Sequence, residues 1–294
     1  MPRLKLDGVL LLDKPVGPSS SAVLQAVKRL MNAEKAGHAG TLDPLASGLL
    51  PLLFGEATKF AQYGLDAAKE YVADVKLGAA TDTGDAEGRV VEQRAVEVDA
   101  DRLAQALEGF RGDIVQVPPM YSALKYEGRP LYELARAGQS VDRAARTVRI
   151  HELELVGRKD DLLRLRIRCS KGTYVRQLAI DLGLALGTVA HLQALRRTAV
   201  GAFRIEQALS LDDLQALGKT ARAALLLPPD SLLGDLPRLE LAEEQARRFL
   251  NGQVLPLDAP QGACRVYRGQ GGLLGIGEVQ AGSGLRPVRL IASG

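Results

Sequence analysis

The stretch Gly37-His38-Ala39-Gly40-Thr41-Leu42-Asp43-Pro44-Leu45-Ala46-Ser47-Gly48-Leu49-Leu50-Pro51 carries three glycines and two prolines. No helical or strand period survives that spacing, so a structured loop is expected throughout. Its single acid, Asp43, precedes a proline that disfavours helix and presents the carboxylate rather than burying it in an element. Taken alone, Asp43-Pro44 is better read as the start of a turn, the carboxylate accepting from a backbone N–H two residues on. The rest of the stretch, with the segments below, makes Asp43 a candidate reactive acid.

Around this loop the patterns alternate between strand and helix. The apolar run from Gly8 to Asp13 reads as a buried strand, followed by a helix from Ser19 or Ser20 to about Met31. Leu49 to Phe54 reads as a second buried strand and Glu56 to about Gly64 as a helix. Lys69 to Leu77 has period two, with Tyr71, Ala73, Val75 and Leu77 facing one way. Asp99 or Asp101 opens a helix to about Phe110, and the two prolines of Gln116–Lys125 exclude a central strand. A short helix from about Pro130 to Ala137, strands over Thr147–Val156 and Leu162–Cys169, and a helix from Tyr174 to about Leu186 follow. Val189 to Arg197 is expected to be extended, and Leu211–Leu217 to be a short helix capped by Ser210. Pro228, Pro229, Gly234 and Pro237 cluster at a natural boundary, dividing the chain into residues 1–235 and 236–294. The second part has one helix, Ala242–Leu250, and short glycine-spaced strands such as Leu273–Val279 and Pro287–Ile291, which suggests a small β-barrel.

With 294 residues, 46% of them hydrophobic and 25% charged, the chain can bury one large core or a large and a small one. The net charge of +3 hides an asymmetry: between Arg146 and Arg204 stand twelve Lys and Arg against five Asp and Glu. Arg164, Arg166 and Arg168 alternate with apolar residues, so a strand would line them along one face. That row is either a solvated outer face or a surface for a phosphate-rich partner. The cysteines Cys169 and Cys264 form no metal or disulfide spacing, and no signal peptide or long apolar span is present, which together point to the cytoplasm and away from membranes. No P-loop, dinucleotide fingerprint, His-Glu-x-x-His or Gly-x-Ser-x-Gly occurs, and His38, His151 and His191 are dispersed. The expected chemistry therefore uses ordinary side chains, with no metal and no cofactor. One rival signature, the Asp82-Thr83-Gly84 triplet of aspartic proteases, occurs once and would need a homodimer. The nearby Asp85 and Glu87 fit a solvated hairpin turn better.

Residues 37–48 resemble the catalytic loop of the bacterial tRNA pseudouridine-55 synthases, the TruB type. Flanking segments agree in order: Gly8–Pro15, Lys69-Glu70-Tyr71, Pro118–Lys125, Cys169–Arg176 and Leu195-Arg196-Arg197. The similarity covers nearly all of residues 8–210, and Leu273–Val279 looks more weakly like a PUA domain, a small RNA-binding barrel. The resemblance implies an α+β fold: a largely antiparallel mixed sheet flanked by helices, the pseudouridine synthase fold, with a β-barrel-like PUA domain. It implies that the N1–C1′ bond of a uridine breaks and the base rejoins through C5, in the T-arm loop of tRNA. By the same carry-over Asp43 is the catalytic carboxylate, acting by attack on C1′, by addition to C6, or in support of a glycal route. Tyr71 stacks on the flipped base, Arg176 pairs with Asp43, and Leu195 walls the base pocket. His38 contacts the RNA loop, Lys14 supports the active-site loop and Tyr174 packs beside Arg176. A monomer that also assists tRNA folding is expected. A non-catalytic RNA-binding protein would share the basic segment without needing the Asp, Tyr and Arg set, and guide-RNA relatives would carry a basic tail or partner-binding extension.

Overall fold

The computed structural model describes residues 2–122, 124–269 and 271–291. Ala123, within the Pro118–Lys125 segment, and Gln270 and residues 292–294 of the second part lie outside them. Ten strands form the main sheet. Along its path the order is Leu209–Ser210, Gly8–Lys14, Ala46–Phe54, Ala190–Val200, Lys69–Leu77, Leu162–Cys169, Arg146–Lys159 and Gly112–Gln116. Ala36–His38 and Phe203–Arg204 pair at its side. Within this sheet, among the described residues, two pairings are parallel, Gly8–Lys14 with Leu209–Ser210 and Ala46–Phe54 with Ala190–Val200. The α+β, largely antiparallel expectation holds.

The two halves of the sheet are built differently, and the sequence pattern records why. In Gly8–Lys14 and Ala46–Phe54 the apolar residues run on without alternation because both faces are covered. Leu10, Leu12, Leu50 and Leu52 pack under the helix Ser20–Leu30, while Val9, Leu11, Leu49 and Leu53 join a second cluster with Val200 and Phe203. In Lys69–Leu77 and Leu162–Cys169 one face is buried and the residues alternate. Ala73, Val75, Leu163, Leu165 and Ile167 meet Leu103 and Leu107 of the helix Ala100–Gly109 and Leu178 and Leu182 of the helix Val175–Ala185.

The opposite face carries the arginine row, and its charges are already matched. Arg164 pairs with Asp74 at 2.7 Å and Arg168 with Glu152 at 3.1 Å, and Arg166 pairs with Glu154. The row is a zipper of cross-strand ion pairs rather than an open basic surface.

Two further expectations need correction. The segment Gly37–Pro51 is a loop only in its middle: Ala36–His38 is a strand, and Ala46–Phe54 begins before Gly48 and includes Pro51. Pro51 fits because its missing N–H falls between partners. On that edge Ala46–Gly48 pairs with Leu195–Arg197 and Leu52–Phe54 with Ala36–His38, and the Pro51 carbonyl accepts from Ala39 N. Gly48, at φ 103°, allows the parallel crossing, since a Cβ there would stand 2.3 Å from the Arg197 carbonyl oxygen.

The expected C-terminal barrel is instead an open four-stranded sheet, in the order Arg238–Leu241, Gly262–Arg268, Leu273–Gln280, Gly284–Leu290. Its first and last strands do not pair. Four strands with so short an edge do not curl round a filled interior, and the helix Glu243–Leu250 covers the sheet with Ala246 and Phe249. Phe60, Leu233 and Ile276 form a small cluster joining this sheet to the larger part, where Lys59 Nζ also donates to the Leu290 carbonyl at 3.0 Å. No helix among the described residues is long and apolar enough to cross a membrane.

Candidate active site

Asp43 sits in the short loop between Ala36–His38 and Ala46–Phe54, and three buried polar side chains, Ser20, Lys14 and Arg197, anchor that loop through its backbone. Ser20, at the start of its helix, donates to the Leu42 carbonyl at 2.9 Å and accepts from Leu42 N at 2.8 Å. Gly17 N donates to the Pro44 carbonyl, and Ala46 N to that of Asp43. Lys14 Nζ donates to the Ala46 carbonyl at 2.7 Å and to that of Pro15 at 2.8 Å. Arg197 spreads its guanidinium over the carbonyls of Leu49, Gly40 and Thr41, at 2.7, 3.1 and 3.4 Å. Lys14 and Arg197 are 0% and 1% exposed. Burial lowers the Lys14 ammonium to about 8, against the pull of Asp43. The loop is thus held from below while the Asp43 side chain stays 44% exposed.

Arg176, in the first turn of Val175–Ala185, reaches Asp43 Oδ2 with Nη2 at 3.0 Å and Asp85 Oδ2 with Nη1 at 3.4 Å. It also donates to the carbonyls of Thr83 and Tyr121. The helix start is fixed by the amide of Gln116, which accepts from Tyr174 N at 3.1 Å and donates to the Tyr174 carbonyl at 3.3 Å. The Tyr174 N–H is one of the donors a helix start otherwise leaves bare.

The turn carrying Asp85 is not solvated at that residue. Asp85 is 3% exposed and accepts from Thr83 Oγ1 at 2.6 Å and Glu87 N at 3.2 Å. The exposed Glu87 has its carboxyl raised by desolvation and by Asp85 and Asp43. Gly84 brings the turn against the helix, where a Cβ would stand 2.8 Å from Ile180 Cδ1. Local pattern hides this role, because an Asp in a glycine-flanked polar turn looks the same whether its partner is water or a distant arginine.

Tyr71, Leu195 and Arg197 share a face. Leu195 pairs with Ala73 and Arg197 with Tyr71, and residues paired across strands point the same way. A register shift follows between Arg197 and Ala199, which bends the strand beside the site. Burial pushes the Tyr71 phenol above its ordinary value, while Arg197 pulls it back. A cavity of about 400 Å³ results, lined by Asp43, Tyr71, Tyr174, Arg176 and Leu195 among others. Five of the seven candidate residues meet there.

The other two do not line it. Lys14 lies beneath the loop, and His38 lies on the side strand, its ring held below its ordinary pKa by burial and by Arg197. The Tyr174 ring carries a further arginine, Arg146, which stacks over it 4.9 Å from the centroid. Arg197 and Asp85 are not among the residues the sequence singles out. Arg197 had a signal, a cation in phase with the apolar face of its strand.

Comparison with known proteins agrees along the whole chain. A family model described as TruB family pseudouridylate synthase, N terminal domain, matches residues 28–175. One described as tRNA pseudouridylate synthase B C-terminal domain matches residues 176–234, and one described as Pseudouridine synthase II TruB, C-terminal, matches residues 237–291. The tRNA pseudouridine synthase B of Aromatoleum aromaticum is 56% identical over 98% of this chain and 94% of its own length. That of Azoarcus sp. is 54% identical over 100% and 97%. Among solved structures, a Cbf5-Nop10-Gar1 complex aligns with a TM-score of 0.73 at 27% identity, covering 98% of this chain and 84% of the other. An H/ACA RNP bound to a substrate RNA containing 2′-deoxyuridine aligns with 0.73 at 26%, covering 97% and 85%.

Proposed function

Because this chain belongs to the TruB family of pseudouridylate synthases, we propose that it isomerises uridine 55 in the T-arm loop of tRNA, with Asp43 as the reacting carboxylate. The observation that carries the assignment is the fork of Arg176, which joins the exposed Asp43 to the buried Asp85 at a cavity with Tyr71 on its wall. An adjacent guanidinium favours an ionised carboxylate and fixes its orientation. A base inside a stacked loop cannot reach such a group, so the uridine flips out and its ring lies against Tyr71, with Leu195 beside it. The N1–C1′ bond breaks, the uracil turns, C5 bonds to C1′, the C5 proton leaves to a base, and N1 takes up a proton, so that product and substrate are isomers. A carboxylate serves whether it adds to C1′ or to C6, being nucleophilic when ionised and a tolerable leaving group. None of these steps draws on a metal or a cofactor.

Residues 1–235 then form the catalytic domain and residues 236–294 a PUA-like RNA-binding domain, in a cytoplasmic monomer that also assists tRNA folding. The guide-RNA reading has less support, since the full-length relatives at 54% and 56% identity are tRNA pseudouridine synthases by name, while the Cbf5-Nop10-Gar1 complex aligns at 27%. The test is incubation with an unmodified tRNA transcript, mapping pseudouridine by a chemical adduct that stops reverse transcription. One modified position in the T loop, formed without guide RNA or metal and lost in Asp43→Asn with tRNA binding kept within a few-fold, is the expected result. Undiminished turnover by Asp43→Asn would remove Asp43 from the reaction.

A further inference from the structure

Three buried side-chain polar atoms among the described residues have no hydrogen-bond partner: His38 Nδ1, Ser122 Oγ and Arg146 Nε. Leaving such an atom unpaired costs about 1–3 kcal/mol, so each invites an explanation. Two of the three, on Ser122 and Arg146, belong to residues lining the cavity that holds Asp43. Neither takes part in the chemistry described above.

Arg146 opens the strand Arg146–Lys159 and lies across the turn at Gly172. Its Nη2 donates to the Gly172 carbonyl and its plane stacks on Tyr174. Gly172, with φ 79°, makes that turn in the left-handed region that favours glycine. Those contacts orient the fork yet leave Nε without an acceptor. Nearby arginines of the same sheet are neutralised, Arg149 by Asp113, Arg166 by Glu154 and Arg168 by Glu152. Arg146 pairs with no carboxylate among the described residues. Ser122, 4% exposed, adds a second unused polar group, a hydroxyl, to the same cavity.

Resting on the reading of this cavity as a uridine site, we propose that Arg146 and Ser122 form a subsite for an RNA phosphate next to the flipped nucleotide. Charge decides for phosphate over a uracil carbonyl. The base is neutral, whereas a guanidinium without a counter-ion gains most from an anion, and two non-bridging oxygens match its parallel N–H groups. The subsite would hold the backbone on one side of the cavity while Asp43 and Tyr71 act on the sugar and base.

The experiment crosses enzyme variants with a T-arm stem–loop in which each phosphate beside the target uridine is replaced, one at a time, by a neutral methylphosphonate. In the wild type one replacement should weaken binding or single-turnover rate about tenfold, as for loss of one charge-assisted contact. The same replacement should cost Arg146→Gln little, and Ser122→Ala should lower the loss at that phosphate only. Arg146→Gln should also reduce the slope of log affinity against log salt by about one, and Arg146→Lys should not. If Arg146→Gln does not fold, Arg146→Lys carries the test: it keeps the salt slope and loses the coupling to that phosphate. Losses that simply add at every phosphate, or a salt slope unchanged in Arg146→Gln, would overturn the subsite. A wild-type enzyme that forms no pseudouridine in the unsubstituted stem–loop would remove the uridine assignment itself, and the subsite with it.

Discussion

Replacing Asp85 by Asn takes one charge from the chain Asp43–Arg176–Asp85 and leaves the shape of the side chain intact. Asp85 and Arg176 are each 5% exposed at the side chain, so water cannot stand in for the missing carboxylate. Removing one end of a buried ion pair costs about 3–5 kcal/mol when the other end is left alone. Arg176 is not left alone: Asp43 at 3.0 Å and the carbonyls of Thr83 and Tyr121 remain. The expected loss for Asp85→Asn is therefore lower, about 2 kcal/mol, and Asp85→Ala should lose more because Thr83 Oγ1 and Glu87 N then lack their acceptor. Urea unfolding reads that loss directly. The second readout is chemical. The C5 hydrogen leaves when C5 joins C1′, so tritium release from a C5-labelled target uridine at saturating enzyme reports the rate. With Asp85 neutral, Arg176 loses one of its two ionic anchors and is aligned less firmly against the exposed Asp43. A misalignment worth 1.4–2.7 kcal/mol corresponds to roughly 10- to 100-fold in rate. Affinity for tRNA should stay within a few-fold. Wild-type stability and rate in Asp85→Asn would refute the buttress, and a loss confined to affinity would make Asp85 an RNA contact instead.

Arg176→Lys keeps the charge but not the fork that spans two carboxylates, so the saturating single-turnover rate should drop at least about tenfold at near-normal tRNA affinity; an unimpaired rate would sink the pairing argument. Gly48→Ala places a methyl 2.3 Å from the Arg197 carbonyl at a φ of 103°, and should cost about 3 kcal/mol or more by urea unfolding, with undiminished stability as the contrary result. Lys14 supplies a pH signature. Burial holds its ammonium at about 8 against 10.5 for a lysine in water, so between those values the unfolded chain binds more protons and stability rises with pH. The stability difference between wild type and Lys14→Met should change across that window by up to about 1.4 kcal/mol per pH unit, and a flat difference would show that Lys14 titrates normally.

Much of this was legible because burial on one face writes a period of two into the chain. Lys69–Leu77 and Leu162–Cys169 are strands with the bounds their alternation gives. The caps Ser19, Asp99 and Ser210 each accept from a backbone N–H of the helix they precede. Asp43 stood out through the rest of its stretch and the flanking segments, since an Asp-Pro pair alone reads as the start of a turn. What stayed hidden depends on contacts between distant parts of the chain. Whether Arg164 is free or paired depends on Asp74, 90 residues earlier. Whether Asp85 faces water depends on an arginine from another helix. How Pro51 is tolerated inside a strand was hidden too, because its place beside a gap in pairing appears only once three strands are assembled. The open C-terminal sheet shares its short, glycine-spaced strands with a barrel, and closure is a property of which edges meet.

The ion-pair zipper on the outer face also bears on turnover. A phosphate arriving at Arg164, Arg166 or Arg168 must first displace a carboxylate already in contact, and the exchange gains almost nothing. That wall is therefore non-stick toward a polyanion despite its arginine content. This wall gives a modified tRNA no resting place from which to delay the next substrate.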